Sequence, residues 1–185
     1  MSLGLIYLVL LILELIFFAG FAIFTIFLIY SSLCGSSYVP TSMKEVDKIF
    51  KIAYLKKNQV FLDLGCGDGR IVRYAVKNFQ VKGIGTEINM ALIYWARLLS
   101  WMSKLNIDYR FSNMVKDSLP KADIIYLFLM PNLIEKIADK LLTQLNQDTL
   151  IISHGFKINK LSKFLYKTID GKPFLTYLYK RQTDI

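Results

Sequence analysis

The sequence predicts an α/β fold, a doubly wound and mostly parallel sheet, with one membrane-spanning helix ahead of it. Three observations lead there. The N-terminus is an almost unbroken apolar stretch, short apolar runs alternate with amphipathic segments after it, and glycines at 65, 67 and 69 join the first run to the segment that follows.

The apolar stretch comes first. Gly4 to Tyr30 is 27 residues long with a single charge, Glu14. As a helix at ~1.5 Å per residue it reaches ~40 Å, more than the ~30 Å hydrocarbon core of a bilayer. A secretory signal calls for a basic start and a shorter apolar core, and the stretch has neither. The expected organisation is a transmembrane helix over 4–30, a small, polar, Pro-interrupted linker over 31–42, and a folded domain over 43–185. Every one of the 23 Lys and Arg residues follows residue 43, against 13 acids once Glu14 is set aside, a balance of +10. The positive-inside bias places the N-terminus outside and the body in the cytoplasm, and the charge favours anionic headgroups. Scattered rather than clustered cations disfavour nucleic acid as the partner. With two cysteines, Cys34 and Cys66, no CxxC and one histidine, no metal site is expected. The lone His154 is expected to satisfy something local.

The body begins with a helical pattern at Met43, Val46, Ile49, Phe50 and Ala53. Apolar runs follow at "VFLDL", "VKGIGTE", "IDYRF", "ADIIYLFL" and "DTLIISHGF", beginning at residues 60, 81, 107, 122 and 148. Helical segments are expected between them over Gly69–Phe79, Met90–Lys104 and Leu133–Gln144. Such alternation means a parallel sheet covered on both faces. The ending differs, because Asp170-Gly171 is a hairpin turn signal between two further strands. Seven strands result, with the sheet finishing at an antiparallel edge. On the third helix Tyr94, Arg97, Trp101 and Lys104 form one stripe, either packed or lying at the headgroups. Ala91, Trp95, Leu98, Leu99 and Met102 form a second stripe, expected to face the core.

The glycines then fall at the strand-to-helix turn on the carboxyl edge of the sheet, where doubly wound folds bind ligands. Glycine there permits positive φ and lets a ligand touch the backbone, while the helix N-terminus adds orphan N–H groups. Glu87 ends the next strand, positioned to accept both ribose hydroxyls of an adenosine. A dinucleotide loop would read GxGxxG with a small third residue. Here the bulky cation Arg70 holds that place, and Asp63, two residues before the first glycine, would oppose a pyrophosphate but suit a ligand carrying an ammonium group. The NAD reading fits worst.

"DLGCGDGR" followed by Glu87 resembles motif I and its acidic partner in class I S-adenosylmethionine-dependent methyltransferases. That family's Rossmann-like seven-stranded sheet with an antiparallel last strand matches the expected ending. "YVPTS" before the motif and "YLFLMPNL" after the fourth strand are similar to a membrane-anchored branch, the protein-lysine methyltransferases acting on the ATP synthase c-ring protein and the adenine nucleotide translocase. The resemblance implies S-adenosylmethionine as cofactor, with Asp63, Gly65, Cys66, Gly67 and Gly69 along its methionine and ribose part. It places Glu87 on the ribose, Ile88 on adenine, and Asn113 and Met114 at the adenine edge, Asn113 standing where aspartate is commoner. Leu129, Met130 and Pro131 would form the active-site rim, and Tyr38, Pro40 and Thr41 would close over the cofactor. Met130, Pro131 and Thr41 are thus the candidate catalytic positions.

The function implied is a single-pass, membrane-anchored methyltransferase acting on a lysine of a membrane protein. Other acceptors are a lipid, a quinone or a nucleic-acid adenine, and the third class is a non-catalytic cofactor-binding module. Adenine enzymes of DNA carry an Asn/Asp-Pro-Pro-aromatic motif after the fourth strand. The equivalent here, Leu129-Met130-Pro131-Asn132, has one proline and no aromatic. No residue is marked out as the general base that a lysine acceptor would call for.

Overall fold

The structure is a computed structural model and describes residues 3–33, 42–145 and 149–181. The chain opens with α1 (Leu3–Leu33), three residues longer than expected at its C-terminal end. Its stretch Leu3–Ile26 is long and apolar enough to cross a membrane, and none of that stretch is buried against the rest of the protein. There follow α2 (Met43–Ile52), β1 (Val60–Leu64), α3 (Arg70–Phe79), β2 (Lys82–Glu87), α4 (Met90–Met102), β3 (Ile107–Phe111), β4 (Ile124–Leu127), α5 (Pro131–Leu145), β5 (Leu150–His154), a 3₁₀ turn (Asn159–Phe164), β6 (Leu165–Ile169) and β7 (Thr176–Tyr179).

The seven strands form one sheet in the order β3-β2-β1-β4-β5-β7-β6. The first five are parallel, and β7 runs antiparallel between β5 and β6. The antiparallel strand is therefore one place in from the edge. The edge strand β6 must pair with β7 because the chain turns back over residues 170–175, and β7 can then fill the vacancy beside β5. Central β4 and β5 are buried at every residue, whereas edge strands β3 and β6 are largely exposed. That is why the central runs read as continuous apolar segments.

Two cores lie on the two faces of the sheet. Val46, Ile49 and Phe50 of α2, Ile71, Val72 and Ala75 of α3, and Ile93 and Ala96 of α4 share one. Ile134, Ile137, Ala138 and Leu141 of α5 pack with Leu62, Leu64 and Leu127 in the other. Local chemistry sets the helix ends: Asn89 Oδ1 accepts from the N–H groups of Ala91 and Leu92 at the start of α4, and Pro131 takes the first position of α5, where a missing N–H costs nothing.

One expectation fails on α4. Trp95 is 52% exposed and Trp101 76%, and Tyr94, Leu98 and Met102 are exposed as well. The face against the sheet is Ile93, Ala96 and Ser100. Small side chains let the helix sit close to β2 and β3, so the bulky apolar stripe expected in the core points outward instead.

Candidate active site

The turn between β1 and α3 is built by three left-handed glycines, Gly65, Gly67 and Gly69, at φ +76°, +56° and +74°. The Gly65 and Cys66 N–H groups both donate to the Thr86 carbonyl, at 2.9 and 3.0 Å, which ties the turn to β2. Asp68 serves the turn itself. Its carboxylate accepts from the Arg70 backbone N–H and from the Arg70 guanidinium, and its carbonyl accepts from Arg73 Nη1. Asp68 is thus a turn residue, its oxygens taken up by Arg70 and Arg73.

Asp63 is different. It is 3% exposed and its Oδ2 has no hydrogen-bond partner among the described residues. Burial, then the charges of Glu87 and Asp68, push its carboxyl up to about 8, partly offset by the Val72 N–H at the start of α3. An orphaned buried carboxyl costs stability. It fits a cationic ligand group, whose charge would offset both the burial and the neighbouring acids.

Glu87 is 1% exposed and accepts from three backbone donors. Its Oε1 accepts from Ile88 N at 2.9 Å and Asn89 N at 3.0 Å, and Oε2 accepts from Gly67 N at 3.1 Å. Burial raises its carboxyl above the ordinary range, and those three N–H groups pull against the rise. The Gly67 bond locks the end of β2 to the glycine turn, so both acids sit at one place on the carboxyl edge. A carboxylate offers about four lone-pair sites, so acceptor capacity is left for a hydroxyl.

The other expected residues divide. Cys66 is buried, its thiol pushed well above the usual range by burial and by Asp63 and Glu87, which makes it inert. Ile88 is half-buried beside Glu87. Met114 packs beneath the turn, its Cε 3.6 Å from where a Cβ on Gly65 would lie, with Leu129 on the same spot. Asn113 is spent locally: its Oδ1 accepts from Val115 N and Lys116 N, and its own N–H donates to Asp117. The expected role at an adenine edge is therefore not what its carbonyl is doing. Met130 is exposed, and its carbonyl accepts from Leu133 and Ile134 to start α5 with Pro131. Tyr38, Pro40 and Thr41 lie outside the described residues.

Sequence reasoning passed over Gly85 and Tyr109. A Cβ on Gly85 would meet Cys66 Sγ at 2.8 Å and the Tyr109 ring at 2.9 Å, and one on Gly69 would meet the same ring. Tyr109 is buried and shares a 2.9 Å hydrogen bond with Ser100. The second glycine of "GIG" was the available signal.

A sheet in this order, a three-glycine turn after β1, and an acid closing β2 onto that turn define a class I S-adenosylmethionine-dependent methyltransferase. Solved structures agree. An RNA methyltransferase from Salinibacter ruber, bound to S-adenosyl-L-homocysteine, superposes with a TM-score of 0.72 at 28% identity, covering 80% of this chain and 96% of its own. Residues 63–164 match the family described as the ANTKMT methyltransferase domain. A protein-lysine N-methyltransferase of Saccharolobus islandicus is 36% identical over 149 residues, 77% of this chain and 91% of the relative. The Xenopus laevis lysine N-methyltransferase named for the c-ring protein of ATP synthase is 30% identical over 122 residues, and the mouse adenine nucleotide translocase lysine N-methyltransferase 28% over 123. These matches take in 64% and 65% of this chain, and the chain spans about half the length of those two relatives, 53% in each case. The chain belongs to the ANTKMT-type family of S-adenosylmethionine-dependent protein-lysine methyltransferases.

Proposed function

We propose that the protein is a membrane-anchored methyltransferase whose acceptor is a lysine side chain of another membrane protein. The observation that carries the cofactor reading is the buried Asp63 carboxyl beside the left-handed glycine turn, whose Oδ2 has no hydrogen-bond partner among the described residues. Asp63, Gly65, Cys66, Gly67 and Gly69 would line the amino acid and ribose part of the cofactor. Glu87 would take the ribose hydroxyls, Ile88 and Met114 would pack near the base, and Met130 and Pro131 would form the rim. When bound, S-adenosylmethionine supplies a methyl group made electrophilic by its sulfonium. The protein's task is then to align an amine with it.

Three features support membrane attachment. They are the apolar length of α1, the confinement of all Lys and Arg to the chain after residue 43, and the outward apolar and aromatic face of α4, which adjoins Arg97 and Lys104 and contains no acid. Eight residues separate α1 from Ser42, at most about 30 Å of chain. Anchoring would hold the rim near the headgroups and raise the effective concentration of membrane-bound acceptors. The vertebrate relatives are named for lysines of an ATP synthase component and of adenine nucleotide translocase, both membrane proteins. The test incubates the purified protein with radiolabelled cofactor and its native membranes, then separates protein, lipid and RNA. Label on lysines of membrane proteins is expected. Label in lipid or RNA, or equally on soluble proteins, would refute the acceptor.

A further inference from the structure

At the carboxyl ends of β4 and β5 a group of rings extends from the core toward the site, Tyr126 inside the core and Phe128 packed against it. The Phe128 ring is 4.7 Å from that of His154 and 5.3 Å from that of Phe174, and His154 and Phe174 are 5.9 Å apart, nearly perpendicular at 80°. Tyr126 stacks beneath His154. Register fixes where this is. Asp63 pairs with Tyr126, and Leu127 with Ser153. Phe128 therefore stands one residue beyond β4 and His154 is the last residue of β5, paired with Thr176 of β7, both on the face shared by Tyr126 and Asp63.

We propose that the half-buried Phe128 and Phe174, backed by the buried His154, form one wall of the slot that receives the acceptor lysine side chain, an inference that rests on the lysine-methyltransferase reading above. Phe128 and Phe174 are only half-buried, so their faces meet the site from its rim rather than filling the sheet interior. Gly155 is shaped for this arrangement. It sits at φ +89°, and a Cβ there would meet Phe128 Cε2 at 2.7 Å. Its N–H donates to the Leu175 carbonyl at 2.8 Å, which fastens the loop that carries Phe174. His154 supports the two rings from behind and is not a base. It is 1% exposed, its Nδ1 is 2.8 Å from Thr176 Oγ1, and burial lowers its imidazole to about 4, so it stays neutral.

Two uncharged rings, Phe128 and Phe174, suit a four-methylene stem, and ring faces also attract an ammonium or methylammonium at its tip. A carboxylate side chain gains nothing from the negative face of a ring. The amine that reacts is the neutral form. Its lone pair makes the N–C bond while the C–S electron pair returns to sulfur, and the resulting methylammonium sheds a proton to water.

Ring-labelled full-length protein in detergent micelles, saturated with S-adenosylhomocysteine, is titrated with Nα-acetyl-lysine methylamide, its Nε-trimethyl form and Nα-acetyl-glutamate methylamide. Shifts of the Phe128, His154 and Phe174 resonances with both lysine probes, and not with glutamate, are expected. Silent rings, or equal shifts with glutamate, overturn the slot. In turnover, Phe174→Leu should raise KM for a lysine-bearing protein about 5- to 30-fold, with S-adenosylmethionine affinity unchanged and Phe174→Tyr close to wild type. A matching fall in cofactor affinity overturns it as well. The ring shifts are read without turnover, so they fail independently of the acceptor fractionation.

Discussion

Replacing Asp63 with asparagine separates two demands made on one side chain. In the folded protein the carboxyl is driven from 3.8 to about 8 by burial and by the charges of Glu87 and Asp68. The folded-state value is raised, so between about pH 4 and 8 the native state holds a proton that the unfolded chain has released. Stability is fully present below that window and falls as pH rises through it, by at most about 1.4 kcal/mol per pH unit. From pH 5 to 8 the bound is about 4 kcal/mol, and local relaxation leaves roughly 2–4. Asparagine has the shape of the protonated acid and no charge to bury. Urea unfolding of a chain starting at Ser42 should therefore show Asp63→Asn gaining on wild type by that amount between pH 5 and 8. Cofactor binding should move the other way. Loss of a charge-assisted contact to the cationic amino acid end costs roughly 1.5–3 kcal/mol, one to two decades in Kd at pH 8. A stability gap that does not widen with pH, or an unchanged Kd by calorimetry, would refute the reasoning.

Other outcomes follow from the same geometry. Gly67→Val places a branched residue at φ +56°; it should cost about 1–3 kcal/mol in unfolding and abolish calorimetric cofactor binding while the far-ultraviolet spectrum stays native. Glu87→Ala frees three backbone donors, and cofactor affinity should fall by about one to two decades. Alkaline carbonate should leave the full chain in the membrane pellet, and release into the supernatant would contradict anchoring by α1. A chain starting at Ser42 should float with anionic vesicles, and changing Trp95 and Trp101 to serine should release it.

The parts of this molecule that could be read from sequence are those written contiguously. Each central strand is a run of consecutive apolar residues, and the turn that marks the site occupies Asp63 to Gly69 without interruption. The order of β6 and β7 was half legible: the turn at 170–175 announces a hairpin, but which arm pairs with β5 depends on the finished sheet. Helix α4 misled because its bulkiest apolar stripe is not the face it buries: the residues against the sheet are Ile93, Ala96 and Ser100, suited to closeness rather than bulk. The Phe128, His154 and Phe174 cluster draws on three separate elements and had no local signature. Asn113 was named by its position after β3, and what sequence did not show is that its side-chain oxygen also accepts from the Val115 and Lys116 N–H groups, as amides at the start of a turn do.

The two buried acids show how one site combines rigidity with readiness for a cation. Glu87 is held by three N–H groups, which position it and counter the effect of burial on its charge. Asp63 has an oxygen without a partner and is held mostly protonated near neutrality. A cation arriving beside Asp63 favours its ionised form, so binding would draw a proton off the protein and strengthen the contact it makes. The same field works against an acid acting as base. If Asp63 is taken up by the cofactor as proposed, then with Glu87 tied to Gly67 and His154 neutral against Thr176 none of these three is free to take a proton from an incoming ammonium. Under the lysine reading, deprotonation then falls to desolvation: an ammonium entering a slot of uncharged rings loses hydration that its neutral form scarcely needs, and its pKa drops. The cost of burying Asp63 and the want of a base thus have a common origin in a site organised around positive charge.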